Sequence, residues 1–153
     1  MRRHRPIVLA LTGALALAGC GGDDAPSRAD FAEQADKICQ DAKDKIEGLS
    51  EPKDFNDIEQ YAADIDKAVA DANKKLGDLD VPEGEDGEKA EAFQQAFAAD
   101  YENQVKPKVE ELREAAEAKD EQAVLRAAQA AQQVETPRTD RLAKDVGAEA
   151  CAE

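Results

Sequence analysis

Beyond its first nineteen residues this chain has no histidine and no methionine, and tryptophan is missing throughout. Without an imidazole, that portion has no side chain suited to general-base work near neutral pH, no histidine ligand for zinc and no axial histidine for haem. Without thioethers, a methionine-rich copper site is excluded as well. No C-x-x-C-H, C-x-x-C, G-x-S-x-G or glycine-rich phosphate loop following a strand occurs. Covalent haem attachment, dithiol exchange, the nucleophile elbow and the P-loop therefore all drop out. No stretch alternates apolar and polar residues with period two, so no β-strand is predicted. Carboxylates are plentiful, but nothing marks two of them as an acid and base pair, and on amphipathic helices most form the solvated face. The expectation is a non-enzymatic protein with no cofactor and no metal.

What is present begins with an address. Arg2, Arg3 and Arg5 precede an uncharged run from Ile7 to Ala18, and Leu17-Ala18-Gly19-Cys20 closes it. The run is a signal-peptide length, well short of the ~20 apolar residues that span a bilayer. Leu17-Ala18-Gly19-Cys20 resembles the lipobox of bacterial lipoproteins. That resemblance implies cleavage before Cys20, a diacylglyceryl thioether on its sulfur, and residence on the extracytoplasmic face of the cell membrane. Ala16-Leu17-Ala18 also reads as a site for ordinary secretion. Cysteine arithmetic favours the lipid: three cysteines in an exported chain leave one over, and lipidating Cys20 leaves Cys39 and Cys151 as a pair. The expected organisation is a lipoprotein signal peptide over 1–19, a lipid-anchored spacer over 20–26 and one helical domain over 27–153. The anchor is the expected membrane contact.

The leader holds three of the 20 basic residues and none of the 35 acidic ones, so the remainder has 17 against 35, a net charge of −18. Such a surface is repelled by phosphate backbones and anionic head groups, which argues against nucleic acid as a partner. Periodicity argues against disorder. Ser27-Arg28-Ala29-Asp30 reads as a capping box. The helix it opens carries Phe31, Ala35, Ile38, Ala42, Ile46 and Leu49, and Gly48 and Pro52 mark its end. Asp54 caps a second, with Phe55, Ile58, Ala62, Ile65, Val69, Ala72, Leu76 and Leu79 at steps of three and four. A third is expected from about Glu88, with Phe93, Phe97, Tyr101, Val105, Val109, Leu112 and Ala116 inward. Asp120 caps a fourth that runs through Val124, Ala127, Ala128, Ala131, Val134, Leu142 and Val146 to a C-cap at Gly147. Four long helices with short connections predict an all-α, up-down-up-down antiparallel four-helix bundle. The alanines allow close approach but bury little area each, so the core alone is expected to give modest stability.

Cys39 sits midway along the first helix, about 80° from the centre of its apolar stripe at 100° per residue. In such a bundle the end of the fourth helix returns to where the first begins, so a short tail beyond Gly147 can carry Cys151 to Cys39. Outside the cytoplasm the pair would be oxidised; free buried thiols are the competing reading. Phe31…Ala35-Asp36-Lys37-Ile38-Cys39-Gln40-Asp41-Ala42, with Ala143…Gly147…Cys151 at the end, resembles a loose group of small, alanine-rich helical lipoproteins of high-GC bacteria with one early and one terminal cysteine. That resemblance supports the disulfide and the architecture, and implies no particular activity.

Two features are candidate sites. Asp78, Asp80, Glu83, Glu85, Asp86 and Glu88 put six carboxylates in eleven residues with two glycines, a possible set of oxygen ligands for Ca²⁺ that fails the EF-hand spacing; the plain alternative is a solvated loop. Pro107 and Pro137 fall inside helical patterns, where each removes an amide donor and clashes with the preceding turn. Two bends at similar height would open a gap, with Lys106, Lys108, Arg138 and Arg141 nearby to hold an anionic ligand or partner. The alternative is that Pro137 starts a new segment behind Thr136 and the cations pair with neighbouring acids. The functional expectation is an accessory module of the cell envelope that binds an envelope or secreted protein, with small-molecule or Ca²⁺ binding as the other reading.

Overall fold

The computed structural model describes residues 25–152, so the leader, Cys20 and most of the spacer lie outside the described residues. Within them the chain is all-α and without strands. Its elements are α1 (Arg28–Glu47), α2 (Phe55–Gly77), α3 (Glu85–Asp100), a π turn (Tyr101–Val105), α4 (Lys106–Glu117), α5 (Glu121–Ala131) and α6 (Pro137–Val146), followed by a 3₁₀ turn (Glu149–Cys151). No helix among the described residues is long and apolar enough to cross a membrane.

The helix starts follow the caps read from the sequence. Ser27 accepts from the Asp30 amide while the Asp30 carboxylate accepts from the Ser27 amide, the reciprocal pair of a capping box. The Asp54 carboxylate accepts from the amides of Asn56 and Asp57, and Asp120 from that of Ala123. α6 ends at Gly147, whose φ of 90° is the left-handed conformation that glycine adopts without steric cost.

Two expectations need correction. The third helix starts at Glu85 rather than Glu88, because Gly84, with φ 68°, serves as its N-cap and turns half of the acidic segment into a first helical turn. Gly87 is required there: a Cβ would stand 2.1 Å from the Pro82 carbonyl oxygen. The expected single fourth helix is two, α5 and α6, broken over residues 132–136. Pro137 has no amide to donate and disfavours helical backbone at Thr136, which sits at φ −122°, ψ 51°.

Pro107 does not break its helix. The ladder widens just before it, where the Lys106 amide donates to the Tyr101 carbonyl, so α3, the π turn and α4 form one continuous rod. The Asn103 side chain donates 2.7 Å to the Ala99 carbonyl within the same stretch. Counting that rod once, the described chain has five helices.

The apolar residues form two clusters. One gathers Phe31, Ala35, Cys39, Leu76, Ala90, Phe93, Ala143, Val146 and Ala148. Phe93 stands at its centre, edge-on to Phe31 at 6.4 Å and to Phe97 at 6.2 Å between ring centroids. The other is smaller: Ala62, Leu112 and Ala127, flanked by the partly buried Ile58, Val109, Val124 and Ala128. α1, α3, α6 and the C-terminal part of α2 enclose the first; the N-terminal part of α2 with α4 and α5 encloses the second.

Cys39 and Cys151 are joined in a disulfide, with Cα atoms 5.3 Å apart. Although it lies off the centre of the stripe, Cys39 is buried, because the returning tail covers its side of α1. The Asp36 carboxylate accepts from the Ala150 amide at 2.7 Å, and Arg28 Nε donates to the Val146 carbonyl at 3.3 Å. The start of α1 and the last turns of the chain are thereby fixed to one another.

Candidate functional site

Unequal helix lengths create the site. α1 has 20 residues, about 30 Å at 1.5 Å per residue. The rod made of α3, the π turn and α4 has 16, 5 and 12, about 50 Å in all. α1 covers α2 only in the half that holds the disulfide, and it stops where Gly48 and Leu49 lie beside Tyr61 and Asp64.

At that level a groove of about 320 Å³ opens between α2, α4 and α5. Tyr61, Ala62 and Ile65 of α2 form one wall. Val105 of the π turn and Lys108, Val109 and Leu112 of α4 form the floor. Ala128 and Ala131 of α5, with Gln132 and Val134 from the break before α6, form the other wall. The volume falls within the range of ligand sites, and the lining is apolar apart from the tip of Tyr61, the Lys108 ammonium and the Gln132 amide.

Both prolines lie beside this groove: Val105 and Lys108 bracket Pro107, and Val134 precedes Pro137. The four cations do not converge on it. Lys108 alone of them lines it, and its ammonium is 3.1 Å from the Glu111 carboxylate. Lys106 lies on the other side of the rod, 3.1 Å from Glu102 and 5.9 Å from the centre of the Tyr101 ring. Its hydrogen bond to Glu102, with the attendant attraction, raises its pKa. Arg138 and Arg141 are exposed on α6, which packs on α3. Thr136 precedes Pro137 as the plain alternative had it, with its hydroxyl donating 2.9 Å to Asp140 rather than accepting from a helix amide.

The acidic segment is likewise dispersed. Glu85, Asp86 and Glu88 occupy the first turn of α3, where the amide dipoles favour negative charge. Glu85 pairs with Lys89 at 2.7 Å, which lowers its pKa. Among the described residues no three His, Cys, Asp or Glu side chains are grouped so as to hold a metal ion.

At the boundary between the two halves, Tyr101 in the π turn is buried and donates 2.9 Å to Asp66 of α2. Burial, then the Asp66 carboxylate, push its pKa up to about 12. Thr139, also buried, donates 2.6 Å to Asp100, the residue just before Tyr101, and ties α6 to α3.

Beside the groove, sharing Tyr61 with it, is a shallow shelf over the connection between α1 and α2. Glu51, Asp57 and Asp64 line this shelf against Lys53. Sequence reasoning placed a gap at the prolines but missed the shelf and the wall from α2. The available signal was length: the α1 pattern ends some thirteen residues short of the rod. Comparison with protein families, with characterised proteins and with solved structures gives no match to this chain.

Proposed function

We propose that this chain is a lipid-anchored, extracytoplasmic, non-enzymatic module of the cell envelope that engages a protein partner through the groove between α2, α4 and α5. The observation that carries this reading is the groove itself, an apolar slot left open where α1 stops. The sequence supports it: the arginine-rich start and Leu17-Ala18-Gly19-Cys20 resemble a lipoprotein signal, which would put a lipid on Cys20 and the rest of the chain on the outer face.

The geometry suits a tethered reader. Ala25, Pro26 and Ser27 lead into α1 beside Pro82 and Asp86, at the end where Phe31 and Leu76 meet. Along α2 the groove residue Ala62 is fourteen residues from Leu76, about 20 Å. The groove thus lies at the opposite end of the domain from the start of α1. We further read the helices as an up-down-up-down bundle whose fourth leg is split into α5 and α6, supported by the packing of α5 on α4 and of α6 on α3.

A photo-reactive residue at position 128 in intact cells should give a discrete protein adduct, while the same residue at the exposed position 40 should not. Equal or absent labelling at both would defeat the interaction reading, and intact mass of native material without acyl groups on Cys20 would defeat the anchor. A second reading, a small apolar ligand in the same groove, is favoured by its volume and lining.

A further inference from the structure

We infer that the groove receives one amphipathic helix of another protein, its apolar side toward α4 and its outward residues basic. The inference rests on the interaction reading above and specifies the partner's chemistry.

The shape argument begins with what is missing. In the stapled half, α1 lies along α2; in the other half that position is vacant, and three helices remain around the groove. Ala62, Ala128 and Ala131 present methyl groups on its two walls, leaving width for the leucine-sized side chains that an incoming helix would bring.

A second observation lies outside the groove. Leu125 is the large apolar side chain most out of place among the described residues, 57% exposed. It is three residues before Ala128 and seven before Gln132, the C-cap of α5, so at helical spacing all three lie on one side, and Leu125 prolongs the groove wall by about one turn. Together they form a strip about 10 Å long, two turns of an opposing helix, which matches anchors spaced i, i+4 and i+7. A small ligand filling the groove would leave Leu125 uncovered.

Charge decides the outward face of the occupant. The shelf that shares Tyr61 with the groove carries Glu51, Asp57 and Asp64 against Lys53, and Lys108 within the groove is already matched by Glu111. A second copy of this chain would bring its own acidic surface against that shelf, since the portion after the leader carries −18. Like-charge opposition disfavours that pairing, whereas lysines or arginines on an incoming helix are complementary.

The test uses full-length lipidated protein in phosphatidylcholine nanodiscs and a labelled 18-residue peptide. The peptide has leucines at i, i+4, i+7 and i+11 and lysine or glutamine elsewhere. Fluorescence anisotropy should show saturable one-to-one binding, with empty discs as the blank. A scrambled peptide of identical composition should bind about tenfold more weakly or worse, because its leucines no longer share a face.

Leu125→Asp, a surface change that leaves the melting temperature in place, should weaken binding about tenfold. Asp64→Asn should weaken it about two- to threefold and flatten its salt dependence. Equal binding of the scrambled peptide, or tighter binding of a glutamate-for-lysine version, overturns the inference. If no peptide binds while position 128 still gives its protein adduct in cells, the helix is the wrong occupant and the interaction reading stands. If both fail, the interaction reading falls as well.

Discussion

In the stapled half Phe31, Phe93 and Leu76 are 0%, 0% and 1% exposed, whereas in the grooved half the largest buried core side chain, Leu112, is 8% exposed and its neighbours Ile58, Val109 and Val124 are only partly covered. Both halves are drawn from amphipathic helices with the same three- and four-residue spacing. They differ in how many helices close around the apolar side. The first has α1, α2, α3, α6 and the returning tail. The second has part of α2, α4 and the short, alanine-rich α5. Each buried methylene contributes about 0.8 kcal/mol, so a cluster centred on two alanines and one leucine holds far less than one centred on two phenylalanines. The half that holds the start of α1 is therefore the better packed, and the other half retains uncovered apolar surface.

The largest expected effect lies in the staple. Replacing both Cys39 and Cys151 by serine opens a crosslink between residues 112 apart, and should lower the unfolding free energy by about 4–5 kcal/mol in the chain-entropy account. Urea denaturation of the double variant against wild type measures it. A loss below about 1 kcal/mol would mean that the stapled half owes little to its crosslink. Next come the two cores themselves. Phe93→Ala should cost about 3–5 kcal/mol and Leu112→Ala about 2–3, since the second site is partly open and can collapse or hydrate. Equal losses would erase the distinction between the halves. Hydrogen exchange sharpens it: amides of α5 should exchange through local opening, while those around Phe31 and Phe93 should wait for global unfolding.

How far the sequence carried this picture depends on which physical rule governed each element. Ser27, Asp54 and Asp120 each begin a helix as expected, because a cap is a local event that needs only the next three residues. The disulfide was legible because the two cysteines were the ones left once Cys20 was assigned to lipid, and topology brings the chain ends together. Of the two prolines, Pro137 was legible as the start of a new segment behind Thr136, whereas the continuity of the helix through Pro107 was not. The chain before Pro107 slips into a π turn that stays packed on α2 through Tyr101 and Asp66, whereas the chain before Pro137 has no comparable tie and breaks. Tertiary contacts decided between them. The groove itself was only partly legible: the prolines marked residues that lie beside it, but its wall on α2 and its acidic shelf depend on where α1 stops relative to its neighbours.

Tyr101 joins the halves, and its removal should have an intermediate effect. Tyr101→Phe leaves Asp66 without its donor and should cost about 1–2 kcal/mol, a hydrogen bond to a charged acceptor that is partly solvated. The pH dependence follows from the direction of the shift. Because the folded pKa is raised from 10.0 to about 12, the contribution is complete below pH 10 and lost as pH rises through about 12. Alkaline unfolding of the wild type should therefore steepen in that window, and Tyr101→Phe should remove the steepening. Ultraviolet titration of phenolate formation reads the same group directly; a Tyr101 that ionises near pH 10 would show the π turn to be open to solvent.

The smallest effects are at the caps, where the two halves should respond differently to the same kind of damage. Asp120→Ala leaves the Ala123 amide without its acceptor, at a local cost of about 1 kcal/mol. Because α5 rests mainly on α4, that loss should surface as faster exchange of the first α5 amides, with little change in the urea midpoint. Ser27→Ala removes the other half of a reciprocal pair on a helix that the disulfide and the phenylalanine core already hold. α1 cannot fray on its own without disturbing Phe31, so the change should register in the global midpoint instead. Acid adds a check on the mechanism. The hydrogen bonds from Ser27 hold the Asp30 carboxyl below its ordinary 3.8. The capping contribution is therefore present above that pH and lost as pH falls through the depressed value. Ser27→Ala should flatten this acid-side decline, and Asp120→Ala should leave it in place. If both variants behaved alike in exchange and in acid, the two ends of the molecule would be equally cooperative, and the groove would have to be explained without a loosely held α5.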